Sequence, residues 1–217
     1  MAHELRRLLE AAAALHALLA AAGIPHAFYG GFMLALLANA PHCDEIFCIV
    51  EAGATHPFRR VRQACASSAD VTTRSSPWTN RLHAVYNGLI PPIDIEILPA
   101  GEEGPRRLDN TTVVIYAGIP ILTISEFIRA KIKAWVIRRL EHDANDIVYA
   151  LTQYWNQVDI NRIPEQDMTD FVTHYADAGP AWAELKRKYR MYALSMILSA
   201  ETNVALCYPG GSIRSGA

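Results

Sequence analysis

"GGFMLALLANAPHCDEIFCIV", residues 30–50, joins a glycine pair to an apolar helix and then to an apolar strand. Gly30 and Gly31 let a backbone approach a ligand closely, and they aim free N–H groups and the positive end of a helix dipole at an anion. A helix is expected from Phe32 to about Ala38, ended by Asn39 and Pro41. A strand is expected over Glu45–Val50, with Glu45 and Phe47 on the same face because side chains alternate. A tight strand-to-helix turn without any ligand uses the same two glycines, so the pair alone does not decide between a site and a turn.

Upstream, leucines at 5, 8, 9, 15, 18 and 19 give one apolar face to a helix from about His3 to Ala22, which Gly23 and Pro25 close. "HAFYGG" then reads as a short strand entering the glycine pair. Downstream, a helix is expected over Pro57–Ala66, and the serine-rich "SSADVTTRSSPWTN" reads as an irregular connection. "IDIEIL", residues 93–98, alternates strictly, which places Asp94 and Glu96 together on one face of a strand. "TTVVIYAG" and "IPILTI" add at least one more strand around Gly118 and Pro120. From Ser125, a candidate N-cap, helical periodicity takes over through "EFIRAKIKAWVIRRLEHDANDIVYALTQYW". Further helices follow Pro164 and Pro180. The expected class is α+β, a mixed sheet flanked by helices and followed by an all-helical part. The expected divisions are residues 1–124, 125–208 and a loose tail at 209–217.

Of the 217 residues 51% are apolar, enough for a substantial core, and 20 basic against 22 acidic residues leave a net charge of -2. That balance gives no reason to expect nucleic acid or a membrane as partner. The four cysteines, Cys43, Cys48, Cys65 and Cys207, show no Cys-x-x-Cys spacing and suggest a reducing compartment. Arg6 and Arg7 before "AAAALHALLAAA" imitate a secretion signal, but Glu4, Glu10 and His16 interrupt the pattern. A cytoplasmic protein is expected.

The glycine pair, helix and strand together resemble the nucleotidyltransferase superfamily, particularly its minimal and abortive-infection-toxin-like branches. There the pattern is a Gly-Gly or Gly-Ser pair, a helix, then Asp-x-Asp opening a hydrophobic strand. The two family aspartates fall here on Glu45 and Phe47, and the slots before them hold Pro41 and Cys43. A second match lies in the first long helix after the sheet, at Lys131, Ala134, Arg138, Asp143 and Asp146. The resemblance spans about Ile24 to Leu151. It implies a nucleotidyltransferase-like sheet, two magnesium ions on carboxylates, a third acid matched by Asp94 with Glu96 as the substitute, and Lys131 facing nucleotide phosphates.

A phenylalanine in the second acidic slot removes a carboxylate that both metals would share. Shifting the register does not restore the pair, because Asp44 then leads to Ile46. Glu45 with Asp94 and Glu96 would hold a single magnesium ion at reduced affinity, or none. Aromatic and histidine side chains nearby, Tyr29, Trp78, His83, Tyr86, His26 and His42, would join Phe47 in making a charged cleft partly apolar. His42 beside a carboxylate is a candidate proton shuttle. Three functions follow. The leading one is an enzyme whose cleft is repurposed for acid/base chemistry on a small, partly apolar molecule, with Glu45, Asp94, Glu96 and His42 as its groups. The others are magnesium-dependent nucleotidyl transfer from a nucleoside triphosphate, held by Gly30, Gly31 and Lys131, and a catalytically silent binding protein.

Overall fold

The computed structural model describes residues 3–38, 45–77 and 81–191. The positions of His42, Trp78, Asp44, Pro41, Cys43 and the 209–217 tail lie outside them.

α1 (His3–Ala21) buries Leu5, Leu8, Ala11, Ala12, Leu15 and Leu19, a stripe at three- and four-residue spacing. Gly23 leaves it at φ 61°, a conformation open to glycine at little cost. β1 (His26–Tyr29), buried along its whole length, leads into α2 (Gly31–Ala38). β2 (Ile46–Val50), α3 (Pro57–Cys65), β3 (Val71–Ser75), β4 (Leu82–Tyr86) and β5 (Ile93–Pro99) follow. β6 (Val113–Tyr116) and β7 (Ile119–Leu122) form a final hairpin. Every described element after Leu122 is helical: α4 (Ile124–Arg138), α5 (Glu141–Tyr154), short 3-10 turns, α6 (Glu165–His174) and α7 at residues 179–191.

The seven strands make one mixed sheet in the order β3-β4-β5-β2-β1-β7-β6. β2 and β5 run parallel, as do β1 and β7, and the remaining neighbours run antiparallel. Alternation shows in β4 and the first half of β5, whereas β1 and β7 are buried on both faces. Cys48, Ile95, Ile97, Leu82 and Ala84 point into the core, over which α1 packs against β4, β5 and β7. The opposite face carries Phe47, Asp94, Glu96 and His83. On that side α4 and α5 rise beside the sheet and leave its middle strands partly uncovered.

Three expectations need correction. The serine-rich stretch expected to be irregular contains β3, the edge strand, and β4 follows it in second place; Thr, Ser, Arg and His on their outer faces blur the hydrophobic alternation. The helical run from Ser125 is two helices rather than one. It breaks at Arg139, whose φ of 53° reverses the chain while its guanidinium lies 4.0 Å from the Trp135 ring and pairs with Asp170 at 3.0 Å. The cap of α4 is Thr123, which accepts from the Glu126 N–H at 3.4 Å, whereas the buried Ser125 hydroxyl accepts from the Asp159 N–H at 2.8 Å. None of the described helices is long and apolar enough to cross a membrane.

Candidate functional site in the sheet-to-helix cleft

Register places the site residues side by side. Tyr29 on β1 is opposite Phe47 on β2, Phe47 opposite Glu96 on β5, and Glu96 opposite His83 on β4. Directly paired residues share a face, so these four form a row across the sheet. Glu45, two residues before Phe47, precedes the same strand on the same face. The cleft above this row has a volume of about 490 Å³. Its floor is Tyr29, Glu45, Phe47 and Glu96; its far wall, from α4, the α4–α5 turn and the start of α5, includes Lys131, Arg138, Leu140 and His142.

Phe47 occupies the centre. A methyl group placed on Gly30 would meet the Phe47 ring at 2.6 Å, so the ring lies against the glycine backbone itself. Gly30 has φ 86°, which an alanine adopts only under strain. The first glycine therefore gives room to an aromatic ring of the neighbouring strand. Gly31 instead lines a separate hollow with Leu34, Glu141, Asn145 and Tyr149. Tyr29, buried beneath, lies 6.3 Å from Phe47 between ring centres and 5.8 Å from Phe127, and burial holds its phenol well above the ordinary range.

Lys131 does not project into open cleft. It is 4% exposed, and its Nζ donates to Asp143 Oδ1 at 3.1 Å. It also lies 2.7 Å from Asp146 Oδ2, a close ionic contact without hydrogen-bond alignment at that oxygen. Arg138 donates to the other Asp143 oxygen at 3.1 Å. The spacing Lys131, Arg138, Asp143, Asp146 thus closes on itself as an interhelical clamp between α4 and α5. On the sheet side Arg81 stands 3.7 Å from Glu96 and 3.9 Å from Glu103.

Of the sequence-derived residues, the structure brings Glu45, Glu96, Phe47, Tyr29 and Lys131 to one cleft. Asp94 is not among its lining residues, because its carboxylate is drawn to Arg74 at 2.6 Å on the exposed face. His83 sits next to Glu96 in register but does not line the cleft, and its buried Nδ1 has no partner among the described residues. His26 lies elsewhere, its Nδ1 donating to the Ile24 carbonyl at 2.7 Å and its Nε2 2.9 Å from His16 Nδ1. Tyr86 donates to Glu10 at 2.9 Å. Sequence reasoning missed Arg81, Glu103, Leu140 and His142. Arg81 precedes an unrecognised strand, Glu103 sits in a loop, and the last two depend on the Arg139 break, so no local pattern announces them.

Solved structures share this architecture, among them the following three. An antigenic nucleotidyltransferase-like protein from Paracoccidioides brasiliensis matches with a TM-score of 0.59 at 17% identity, over 81% of this chain and 90% of that one. A protein from H. pylori described as a nucleotidyltransferase matches with a TM-score of 0.51 at 14% identity, over 84% and 83%. The antibiotic-resistance factor ANT(2'')-Ia matches with a TM-score of 0.50 at 10% identity, over 82% and 98%. The fold is nucleotidyltransferase-like. No family model matches the sequence, and no curated protein matches it.

A nucleotidyltransferase-like fold implies magnesium on a carboxylate set, and the residues present here do not fit it. Phe47 offers hydrocarbon, and Asp94 is paired with Arg74 and does not line the cleft. Among the described residues no three His, Cys, Asp or Glu side chains are grouped to hold an ion. Of the expected metal ligands, Glu45 and Glu96 line the cleft on either side of the aromatic ring, Glu96 at 3.7 Å from Arg81.

Proposed function

We propose that this chain uses a nucleotidyltransferase-like cleft to bind a small, partly apolar molecule, and that it does not carry out two-metal nucleotidyl transfer. The carrying observation is the Phe47 ring lying against Gly30, in the space between the glycine turn and the acidic strand. Phe47, Tyr29, Leu98 and Leu140 supply the apolar wall, while Glu45 and Glu96 accept hydrogen bonds from donors on the ligand. Lys131 acts as a brace, since both of its acidic neighbours hold it within the protein.

Two observations support this reading over transfer: the anion-facing side of Gly30 is covered, and the candidate phosphate-binding lysine is already neutralised. Titration with ATP, with and without magnesium, tests it. The expected result is no gain in affinity from magnesium. A gain that is abolished by Glu45→Gln would overturn the proposal.

A second reading, acid/base catalysis by Glu45 and Glu96, rests on their placement on one face at either side of Phe47. It is separated from simple binding once a ligand is known. Mass spectrometry of small molecules released from the purified protein provides that ligand. Glu96→Gln should then weaken affinity on the order of tenfold, through loss of a charged acceptor, with no turnover in the wild type if the cleft only binds, and should abolish wild-type turnover if it catalyses.

A further inference from the structure

The sequence is nearly neutral overall, but its charge is unevenly placed. A second cavity of about 530 Å³ lies on the other side of α4 from the cleft, lined by Arg106, Arg107, Arg129, Lys133 and Arg162 around a single carboxylate, Glu126. Lys131 and Lys133 are two residues apart, about 200° around the helix at 3.6 residues per turn, so one braces the cleft and the other faces this cavity. We propose that the cavity is a binding site for an oligophosphate anion, a nucleotide-sized chain of two or more phosphate groups.

The site is built rather than merely charged. Glu126 is 1% exposed, and both its oxygens are engaged, by Arg162 at 2.6 Å and Arg129 at 3.2 Å. This orients two guanidiniums and offsets the Glu126 charge; Arg162 also lies 3.7 Å from Asp159, which stands outside the lining. Arg106, Arg107 and Lys133 have no acidic partner among the described residues. The first two are carried by a loop whose shape is fixed. Gly101 and Gly104 take φ 91° and 71°, and a methyl group on Gly104 would meet Ile49 at 2.6 Å. Glu51 accepts the Leu108 N–H at 2.8 Å, and the Thr112 hydroxyl donates to the Arg107 carbonyl at 2.9 Å.

Three unpaired cations pointing into one cavity repel each other until an anion enters. Guanidiniums match phosphate oxygens two at a time, which a lone carboxylate does not exploit across this span. The volume suits a small ligand rather than a duplex, which needs an extended surface. A groove lined by Glu102, Glu103, Gly104, Lys133 and Arg138 shares Gly104 and Lys133 with this cavity and Glu103 and Arg138 with the cleft.

Calorimetric titration of the full chain with inorganic triphosphate, at low salt and with EDTA present, tests the assignment independently of any metal-dependent binding in the cleft. The wild type should bind, and affinity should fall steeply as salt rises. Arg107→Glu combined with Lys133→Glu should weaken binding on the order of tenfold or more, as expected for reversing two contacts of a multi-charge site. Both side chains are exposed, and circular dichroism checks that the variant stays folded. Arg106→Ala should weaken binding less, and Glu96→Gln in the cleft should leave it unchanged. No uptake of triphosphate by the wild type overturns the proposal, as does binding indifferent to the double reversal, or binding of a single-stranded oligonucleotide without binding of triphosphate.

Discussion

At the residue scale, the missing side chain of Gly30 is what lets the Phe47 ring of β2 lie against the turn that follows β1. Gly30→Ala should destabilise the fold by about 1–3 kcal/mol, combining a positive φ with a direct clash, as read from urea denaturation. In a Phe47→Ala background the same substitution should cost about 1 kcal/mol less, because the clash is gone and only the backbone strain remains. Equal costs in the two backgrounds would mean that the ring does not rest on the glycine. The histidine pair gives a second residue-scale prediction. Burial pushes His26 down to about 4, and His16 is lowered for the same reason. Unfolding therefore takes up a proton between those values and the ordinary histidine range, so stability is full above about pH 6.5 and falls as pH drops towards 4. The loss should reach up to about 3 kcal/mol at pH 4, and His26→Asn should flatten the profile in that window. A wild-type profile with no slope there would contradict the burial of a neutral imidazole.

At the scale of elements, the joint between α4 and α5 is held by the Lys131, Asp143 and Arg138 cluster. Lys131→Met should cost about 3 kcal/mol, because Asp143, 2% exposed, keeps only Arg138 as a strong partner. Arg74→Ala breaks the 2.6 Å pair with Asp94, whose side chains are 63% and 44% exposed, and should cost less than about 1 kcal/mol. Denaturant midpoints compare the two directly, and equal effects would argue against a buried clamp. The spacing of these residues was legible in the sequence, since three- and four-residue intervals fix what shares a helix face. Their inward closure was not, because it depends on Arg139 turning the chain after Trp135. The strands divide in the same way. "IDIEIL" declares itself by alternation, while β3 at the edge and β4 beside it carry polar outer faces and short apolar inner ones, and the serine-rich composition around β3 reads as a loop.

For the whole molecule, the order of glycine turn, helix, strand and later acidic strand was sufficient to anticipate a nucleotidyltransferase-like sheet, because parallel β2 and β5 bring Glu45, Phe47 and Glu96 into one neighbourhood. The choice between Asp94 and Glu96 was not legible. Both lie on the same face, and only Arg74, from a strand hidden in the serine-rich stretch, draws Asp94 away. Likewise, nothing local announces that loop cations and α4 cations meet in a second cavity behind the cleft. The long-range pairing that builds both sites also makes Phe47 testable. The most direct measurement is the change in ATP affinity on adding magnesium, made by calorimetry on the wild type and on Phe47→Asp, with Arg107→Glu and Lys133→Glu present in both to silence the basic cavity. The expected result is no magnesium-dependent gain in the protein with Phe47 and a gain on the order of tenfold when an acid takes its place beside Glu45 and Glu96. A strong magnesium-dependent gain with Phe47 still in position would contradict the reading of this cleft as one that has left two-metal chemistry behind.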